Sequence, residues 1–295
     1  MRLPWSVYRT LRELRRVLVR ENPVLAVGTG GYVSGPALWA AALRGIPTVI
    51  QEQNAFPGFA TRRLARRARQ IHLGFPEARA YLKSGPSTEI FDSGNPIHAP
   101  PGGGRQAAGG RRALGFDPDR PLVLVVGGSQ GALPINRAVA DTLSSNTWPE
   151  GVQLLWQTGS ASFDDFKLFT TAACRPLPFI DPIAPAYQAA DLVVARAGAI
   201  TLAELAAWGL PAILVPLPTA AADHQLINAR ALAEGGAAVL LEQQGLTGRT
   251  LSGVVRDLLK HPAKMADLSR SIGARARPDA AREIAHEALR LVSKK

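Results

Sequence analysis

Two glycine-rich loops carry the residue types best suited to binding phosphate. The first runs from Gly28 to Gly35, and the second runs from Gly127 to Ala132 after the apolar segment LVLVV. Glycine lets bare backbone N–H groups approach a phosphate at the start of a helix. The alternative is a tight strand-to-helix turn in which glycine only permits positive φ and close packing. Because there are two such loops, we expect a ligand with several phosphates, or two phosphorylated ligands.

Neither loop fits the common nucleotide motifs. No Lys-Ser/Thr pair follows either loop, as a Walker A motif requires. Neither loop matches G-x-G-x-x-G with an acidic residue about 20 positions later, as a dinucleotide site requires. The sequence therefore disfavours ATP and NAD as ligands.

Two further polar motifs flank apolar segments of the second half. In GAITLAEL, Thr201 and Glu204 have the spacing of a helix capping box. The alternative is that Glu204 accepts hydrogen bonds from two ribose hydroxyls. The motif DHQLIN, residues 223–228, follows the strand-like AILVPLP, so it is placed where α/β proteins bind ligands. Its alternative is an N-capping Asp223 with exposed neighbours.

The composition favours a folded protein with two cores. The chain has 295 residues, 46% hydrophobic and 19% charged. Cys174 is its single cysteine, and no Cys/His cluster has metal-ligand spacing. We therefore expect a reducing, cytoplasmic compartment and no metal or cofactor. No apolar run reaches 18 residues, so no transmembrane span is predicted.

The positive charge is concentrated in the first third of the chain. Residues 1–98 hold 14 Lys/Arg and 6 Asp/Glu, a net +8 of the total +11. Residues 4–20 predict an amphipathic helix with one apolar and one arginine stripe, and five more arginines lie between residues 62 and 69. These arginines could be a solvated face, a nucleic-acid surface or a docking surface for anionic lipid. No aromatic residues are interleaved with them, which favours lipid.

Alternating strand and helix patterns predict the fold class α/β, with two doubly wound, Rossmann-like parallel sheets around a cleft. Residues 1–98 are predicted as the first domain, residues 99–115 as a Gly/Pro/Arg-rich linker, residues 116–275 as the second domain and residues 276–295 as a C-terminal helix. The first strand is predicted at residues 23–27, and two helices are predicted to end the chain, the second of them the C-terminal helix. A doubly wound domain normally opens with a strand, but this chain opens with a helix. We therefore expect the first domain to lack its leading strands.

Several motifs together resemble one family. GTGGYVSGP, QEQNAFPG, GNPI, VVGGSQGA, RAGAITLAELAAWGLPAILVP and DHQLINA have the order and spacing of the MurG family of peptidoglycan lipid-intermediate N-acetylglucosaminyltransferases, which have the GT-B fold. The resemblance implies inverting, metal-free transfer of N-acetylglucosamine from its UDP donor to lipid I, forming lipid II. It also implies peripheral attachment to the cytoplasmic face of the cell membrane, on an anionic surface.

The resemblance also assigns roles to individual residues. In the donor site, Ser129 would contact phosphate, Ile180 and Ala199, Ile200 and Thr201 would line the uracil site, Glu204 would take the ribose, and Gln225 and Asn54 would contact the sugar. Gly30, Gly31, Tyr32 and Ser34 would hold the acceptor diphosphate.

Three departures from the family pattern matter. The histidine expected as general base would precede Met1, so the catalytic residue is unknown and the activity of this chain is open. His98 replaces an arginine that contacts the donor, which lowers the expected affinity for UDP. Gln51 replaces a histidine near the asparagine of QEQN.

Three other functions remain open. The chain could be a degenerate UDP-sugar-binding protein without transferase activity. It could be another GT-B enzyme such as a UDP-sugar epimerase, although Glu52 is the only acidic residue in the loop motifs of the first domain. A nucleic-acid binder is the least favoured, and no nucleic-acid partner is expected.

Overall fold

The computed structural model describes residues 3–100 and 105–293. The chain divides into two compact units, which we call unit 1 (Met1–Ile97 with Arg277–Lys295) and unit 2 (His98–Ala276). The described residues form these strands: β1 (Ala26–Gly28), β2 (Thr48–Glu52), β3 (Gln70–Leu73), β4 (Glu89–Phe91), β5 (Leu122–Val126), β6 (Gln153–Gln157), β7 (Cys174–Leu177), β8 (Leu192–Ala195), β9 (Ala212–Leu214) and β10 (Val239–Leu240).

Helices alternate with these strands along the chain. They are α1 (Leu3–Glu21), α2 (Gly31–Leu43), α3 (Phe59–Leu64), α4 (Ala107–Ala113), α5 (Leu133–Ser144), α6 (Phe163–Phe166), α7 (Ala184–Ala189), α8 (Ala199–Trp208), α9 (His224–Glu234), α10 (Gly248–Lys260), α11 (Pro262–Gly273) and α12 (Ala280–Ser293).

Unit 1 is built on a four-stranded sheet in the order β1-β2-β3-β4, with every pairing parallel. The whole of β2 and β3 is buried, and Ile50, Ile71 and Leu73 pack with Leu38 of α2 and Leu64 of α3. Helix α12 completes this unit, because the side-chain amide of Gln70 donates to the carbonyl of Glu287 at 3.0 Å.

Unit 2 has a six-stranded sheet in the order β10-β9-β8-β5-β6-β7, and its pairings are also parallel. The central strand β5 is entirely buried, which suits its run of Leu and Val because both faces are covered. Two parallel sheets confirm the predicted α/β fold class.

The structure differs from the predicted elements in three places. The predicted linker contains helix α4, whose Arg111 pairs with Asp191 at 2.6 Å in unit 2, so part of this segment is packed. Helices α10, α11 and α12 replace the two predicted C-terminal helices, because Pro262 starts a new helix after α10. The predicted strand at residues 23–27 is limited to β1, which starts at Ala26.

Candidate functional site in unit 2

The strand order of unit 2 creates a topological switch point. The chain passes from β5 to β6 and β7 on one side, then returns to β8, which pairs with the other side of β5. Val126, the last residue of β5, lies in register with Gln157 of β6 and Ala195 of β8. Parallel doubly wound sheets bind ligands at such a point, beyond the carboxyl ends of the strands.

The second glycine loop leaves β5 at this point. Gly128 and Gly131 have φ of +90° and +76°, and a Cβ on Gly131 would lie 2.0 Å from the carbonyl oxygen of Thr158. The loop is therefore held against the chain that follows β6. Ser129 at its tip is exposed. No side chain caps α5 at Ala132, so the backbone N–H groups of its first turn, apart from Pro134, which has none, can bind an anion.

Helix α8 presents a second N-terminus without a side-chain cap at the switch point. The helix begins at Ala199 after Gly198, and no side chain makes a capping hydrogen bond there. The capping-box interpretation is therefore wrong, because Thr201 lies within the first turn and not before it. Ile200 is 44% exposed, whereas Ala199 and Thr201 are half-buried, so this turn is accessible to a ligand.

Glu204 is held by a residue that the sequence analysis missed. The buried phenol of Tyr187 in α7 donates to Oε2 of Glu204 at 2.9 Å. Burial raises the pKa of Glu204, whereas this hydrogen bond and the charge of nearby His98 lower it. Burial and the neighbouring carboxylate raise the pKa of Tyr187. A carboxylate has several acceptor positions, so Glu204 retains capacity for hydroxyl donors.

Ile180 lies in the segment after β7, and its backbone N–H donates to Oε1 of Gln157 at 3.0 Å. The same amide side chain donates from Nε2 to the carbonyl of Gly128 at 2.9 Å. Gln157 thus contacts both the glycine loop and the segment that contains Ile180. The sequence signal for this residue was a polar side chain at the end of the apolar strand VQLLWQ.

The DHQLIN motif is anchored to the ends of β8 and β9. Oε1 of Gln225 accepts from the backbone N–H of Leu217 at 3.0 Å, and buried Asn228 donates to the carbonyl of Ala197 at 3.3 Å. Asp223 has φ of +52° and makes no side-chain capping bond, so the interpretation of Asp223 as an N-capping side chain is wrong. A capping side chain requires an extended backbone at that position.

Candidate functional site in unit 1

Two backbone carbonyls of the first glycine loop accept hydrogen bonds from side chains. The hydroxyl of Ser34 donates to the carbonyl of Gly30, and the amide of Gln53 donates to the carbonyl of Thr29. Gly30 and Gly31 have φ of +87° and +72°, and no side chain caps α2. The backbone N–H groups of this helix start are therefore the groups that a phosphate would meet. Tyr32 belongs to α2, but its side chain is outside the described residues.

Glu52 organises the segment that contains Asn54. Its buried carboxylate accepts from the backbone N–H of Asn54 at 3.1 Å, from that of Gly58 at 3.0 Å and from the hydroxyl of Thr61 at 2.6 Å. Three donors explain how a carboxylate that is 2% exposed can be accommodated here. Glu52 thus fixes a loop, which does not match the proton-transfer role that an epimerase would need.

A chain of amides connects Asn95 to the first glycine loop. Gln51 donates to Oδ1 of Asn95 at 2.8 Å, and Gln53 donates to Oε1 of Gln51 at 2.7 Å. Asn95 in turn donates to the backbone carbonyl of Gln53 at 3.0 Å. The sequence analysis assigned no role to these glutamines.

The arginines of α1 and of residues 62–69 are exposed in the described part of the chain. The structure corrects the expectation that no aromatic residues accompany them, because Arg62, Arg63 and Arg67 lie 4.6–5.6 Å from the ring centres of Phe56, Phe59 and Trp39. Phe59 precedes Arg63 by four positions in α3 and Phe56 lies just before this helix, whereas Trp39 belongs to α2 and is brought close only by the fold. The side chains of Trp5, Val7 and Tyr8 are outside the described residues.

A groove of about 600 Å³ separates α1 from α2. Leu11, Ala40 and Leu43 form its apolar lining, with Arg15 and Arg44 beside them. Within residues 3–100 and 105–293, no helix has the length and apolar content to cross a membrane. The same residues contain no group of three or more His, Cys, Asp and Glu that could hold a metal ion.

Similarity to known proteins

Both parts of the chain match one protein family. Residues 1–73 match the glycosyltransferase family 28 N-terminal domain, and residues 122–284 match the family 28 C-terminal domain.

Curated relatives match nearly the whole chain. A UDP-N-acetylglucosamine--N-acetylmuramyl-(pentapeptide) pyrophosphoryl-undecaprenol N-acetylglucosamine transferase of Chlorobium limicola is 41% identical over 274 residues, which is 92% of this chain and 74% of the relative. The transferase of the same description from Salinibacter ruber is 42% identical and covers 99% of this chain and 78% of its own length.

Solved structures show the same fold. The crystal structure of Acinetobacter baumannii MurG has a TM-score of 0.78 and 30% identity, covering 99% of this chain and 81% of that protein. A UDP-GlcNAc 2-epimerase from Neisseria meningitidis bound to UDP-GlcNAc has a TM-score of 0.67 and 13% identity, covering 96% of this chain and 81% of the epimerase. At that identity the epimerase shows the fold alone.

Proposed function

The chain belongs to glycosyltransferase family 28, and on that premise we propose that it transfers N-acetylglucosamine from UDP-N-acetylglucosamine to undecaprenyl-diphosphate-linked N-acetylmuramoyl-pentapeptide (lipid I), forming lipid II for peptidoglycan. The identity of 41–42% with transferases of this description, over 92–99% of the chain, is the observation that carries this proposal. It is a UDP-N-acetylglucosamine-dependent hexosyltransferase.

The donor binds at the switch point of unit 2 in this proposal. Ser129 and the start of α5 contact the diphosphate, and Ile180 with Ala199, Ile200 and Thr201 surrounds the uracil. Glu204 accepts from the ribose hydroxyls, with its orientation fixed by Tyr187. Gln225 contacts the sugar. The arrangement is supported by the placement of the unit 2 residues beyond the ends of adjacent parallel strands.

The same arrangement favours departure of UDP. Negative charge develops on the diphosphate as the bond from the sugar breaks. The starts of α5 and α8 carry partial positive charge and donate N–H groups without reorganisation. Backbone dipoles of this kind stabilise a departing phosphate. His98 is exposed, and it lies close enough to Glu204 that its charge lowers the pKa of this carboxylate.

The acceptor diphosphate binds at the first glycine loop of unit 1. Gly30, Gly31 and Tyr32 offer backbone N–H groups, and Ser34 orients the loop through its hydrogen bond to the carbonyl of Gly30. Because the carbonyls of Gly30 and Thr29 accept from Ser34 and Gln53, they repel the phosphate less than free carbonyls would.

The protein acts at the cytoplasmic face of the membrane, to which we assign the exposed arginines of α1 and residues 62–69. Each basic residue contributes about 1 kcal/mol near an anionic leaflet. The apolar groove between α1 and α2, with Arg15 and Arg44 beside it, provides an adjacent site for lipid chains. The acceptor remains in this leaflet, so unit 1 docks where its substrate lies.

A transfer assay tests the proposed reaction. The protein is incubated with UDP-[¹⁴C]N-acetylglucosamine and a soluble prenyl-diphosphate acceptor that carries N-acetylmuramoyl-pentapeptide. Labelled disaccharide on the acceptor, absent when acceptor is omitted, is the expected product. Calorimetric binding of UDP without any transfer would instead support the degenerate UDP-sugar-binding protein.

Vesicle sedimentation tests the membrane surface. The variant R12E/R15E is compared with R112E/R249E, which reverses two exposed arginines of unit 2. Wild type and R112E/R249E should bind vesicles that contain anionic lipid and release at high salt, whereas R12E/R15E should remain in the supernatant. Equal binding by the two variants would contradict the assignment to α1.

A further inference from the structure

Gln157 occupies a central place among the donor-binding segments of unit 2. It ends β6, which lies between β5 and β7, in register with Val126 on one side and Leu177 on the other. The glycine loop follows β5, and the segment with Ile180 follows β7. A side chain at the end of β6 can therefore reach both segments.

The two hydrogen bonds of this side chain require an amide. Its Nε2 donates to Gly128 at 2.9 Å, and its Oε1 accepts from the N–H of Ile180 at 3.0 Å. A carboxylate would lack the donor, and an aliphatic side chain would lack both groups. Gln157 is 4% exposed, so an unmade bond would leave a buried polar group without a partner.

The bond to Gly128 bears on the orientation of the glycine loop. The carbonyl of Gly128 also accepts from the N–H of Gly131 at 2.9 Å. Two donors thus hold this carbonyl on the protein side of the loop, which leaves Ser129 and the start of α5 facing solvent. A rotated Gly128 peptide would instead present a carbonyl oxygen to a diphosphate.

We propose that Gln157 is a positioning residue that couples the nucleobase segment at Ile180 to the phosphate loop at Gly128–Gly131, so that the two parts of UDP are recognised together. This inference rests on the proposed donor site. It adds a residue that touches neither part of the ligand and acts through one amide. The coupling predicts a specific pattern of ligand affinities for two substitutions.

The variant Q157M removes both hydrogen bonds at similar volume, whereas Q157E keeps an acceptor for Ile180 and removes the donor to Gly128. Competition with UDP-N-acetylglucosamine gives the affinities for uridine and for UDP. Q157M should lower the affinity for uridine and the affinity for UDP. The UDP affinity should fall by about tenfold, the loss expected for one such hydrogen bond. Q157E should lower the affinity for UDP by at least as much, but its affinity for uridine should stay within about twofold of that of wild type.

Gln153 provides a matched control on the same strand. It is 2% exposed, and its amide bonds to the backbone of Asp117 and Arg120 at the other end of β6. Q153M and Q153E should lower the unfolding midpoint like the Gln157 variants, but leave both affinities unchanged. KM for the donor should rise in the Gln157 variants, with KM for the acceptor unchanged.

The outcomes separate this inference from the proposed function. Wild-type protein that fails to bind UDP contradicts the donor site itself. Wild type that binds UDP, with Q157M binding as well as wild type, overturns the coupling role alone. Equal losses in the Gln153 and Gln157 variants would also overturn it, because they would show a general effect of stability.

Discussion

The phenol of Tyr187 donates a hydrogen bond to Oε2 of Glu204 across 2.9 Å, from a residue that is 2% exposed. Tyr187 lies in α7 and Glu204 in α8, so the bond fixes the carboxylate relative to the switch point between β5 and β8. The finding gives Glu204 an orienting partner.

Removing this phenol should weaken the ribose contact. Y187F leaves Glu204 free to rotate, and we expect UDP affinity to fall about threefold to tenfold, or about 0.7–1.4 kcal/mol, which is within the net value of one ordinary hydrogen bond. E204Q should lower the affinity for UDP further. The measurement is calorimetry with UDP and 2′-deoxy-UDP. The preference of wild type for UDP should shrink in both variants, and an unchanged preference in E204Q would contradict the ribose role.

UDP binding should depend on pH through Glu204. Burial raises its pKa, so the carboxylate protonates at a higher pH than an ordinary glutamate as the solution is acidified. The ionised form accepts hydrogen bonds from two hydroxyls and the neutral form does so less well, so UDP affinity should decrease as the pH is lowered through that range. E204Q should lack this step. The charge of His98 lowers the pKa of Glu204, so H98A should shift this step to higher pH.

The packing of Gly131 should limit substitution in the phosphate loop. Both Gly131 and Gly151 have φ of +76°, but a Cβ at Gly131 meets the carbonyl of Thr158 at 2.0 Å, whereas a Cβ at Gly151 meets no atom within 4 Å. G151A should lower the free energy of unfolding only by the backbone strain, about 1–2 kcal/mol. G131A should lose the same amount and about 1–3 kcal/mol more, because its Cβ overpacks against Thr158. Urea denaturation measures both. UDP binding should be lost in G131A alone.

The ion pair between Arg111 and Asp191 should hold α4 in unit 2. Its atoms are 2.6 Å apart, and the arginine side chain is 10% exposed. D191N leaves this guanidinium without its counter-charge, so we expect a loss of about 3 kcal/mol in the free energy of unfolding. E242Q, which breaks the exposed pair with Arg230, should cost less than about 1 kcal/mol. Similar losses in the two variants would show that the Arg111 pair is solvent-screened.

The amide chain of unit 1 should affect the acceptor and not the nucleotide. Q53L removes the donor to the carbonyl of Thr29 and to Gln51. We expect KM for the lipid acceptor to rise several-fold while Kd for UDP stays unchanged. Q244L, at an exposed glutamine of unit 2, is the control. A change in UDP affinity with constant acceptor KM would place Gln53 on the donor side.

The chain's periodicity and motifs were enough to predict the α/β class and the order of its main elements. Apolar runs such as LVLVV, which are short and contain several β-branched Val, favour buried strands, and glycine before a helix marks a possible phosphate loop, because both signals are local. Short elements were missed. Strand β7, with the sequence CRPL, and helix α7 have no distinctive period, and they are stabilised by the sheet that they join.

Only the tertiary structure decided which polar residues meet. Thr201 and Glu204 have capping-box spacing, yet the cap does not form and Glu204 pairs with Tyr187 instead, 17 positions earlier in the chain. Gln157 contacts residues 29 positions before it and 23 positions after it. Such contacts depend on which strands are neighbours in the sheet. The sequence by itself determined the main elements and indicated the kind of ligand, and the strand order determined which side chains meet at the ends of the strands.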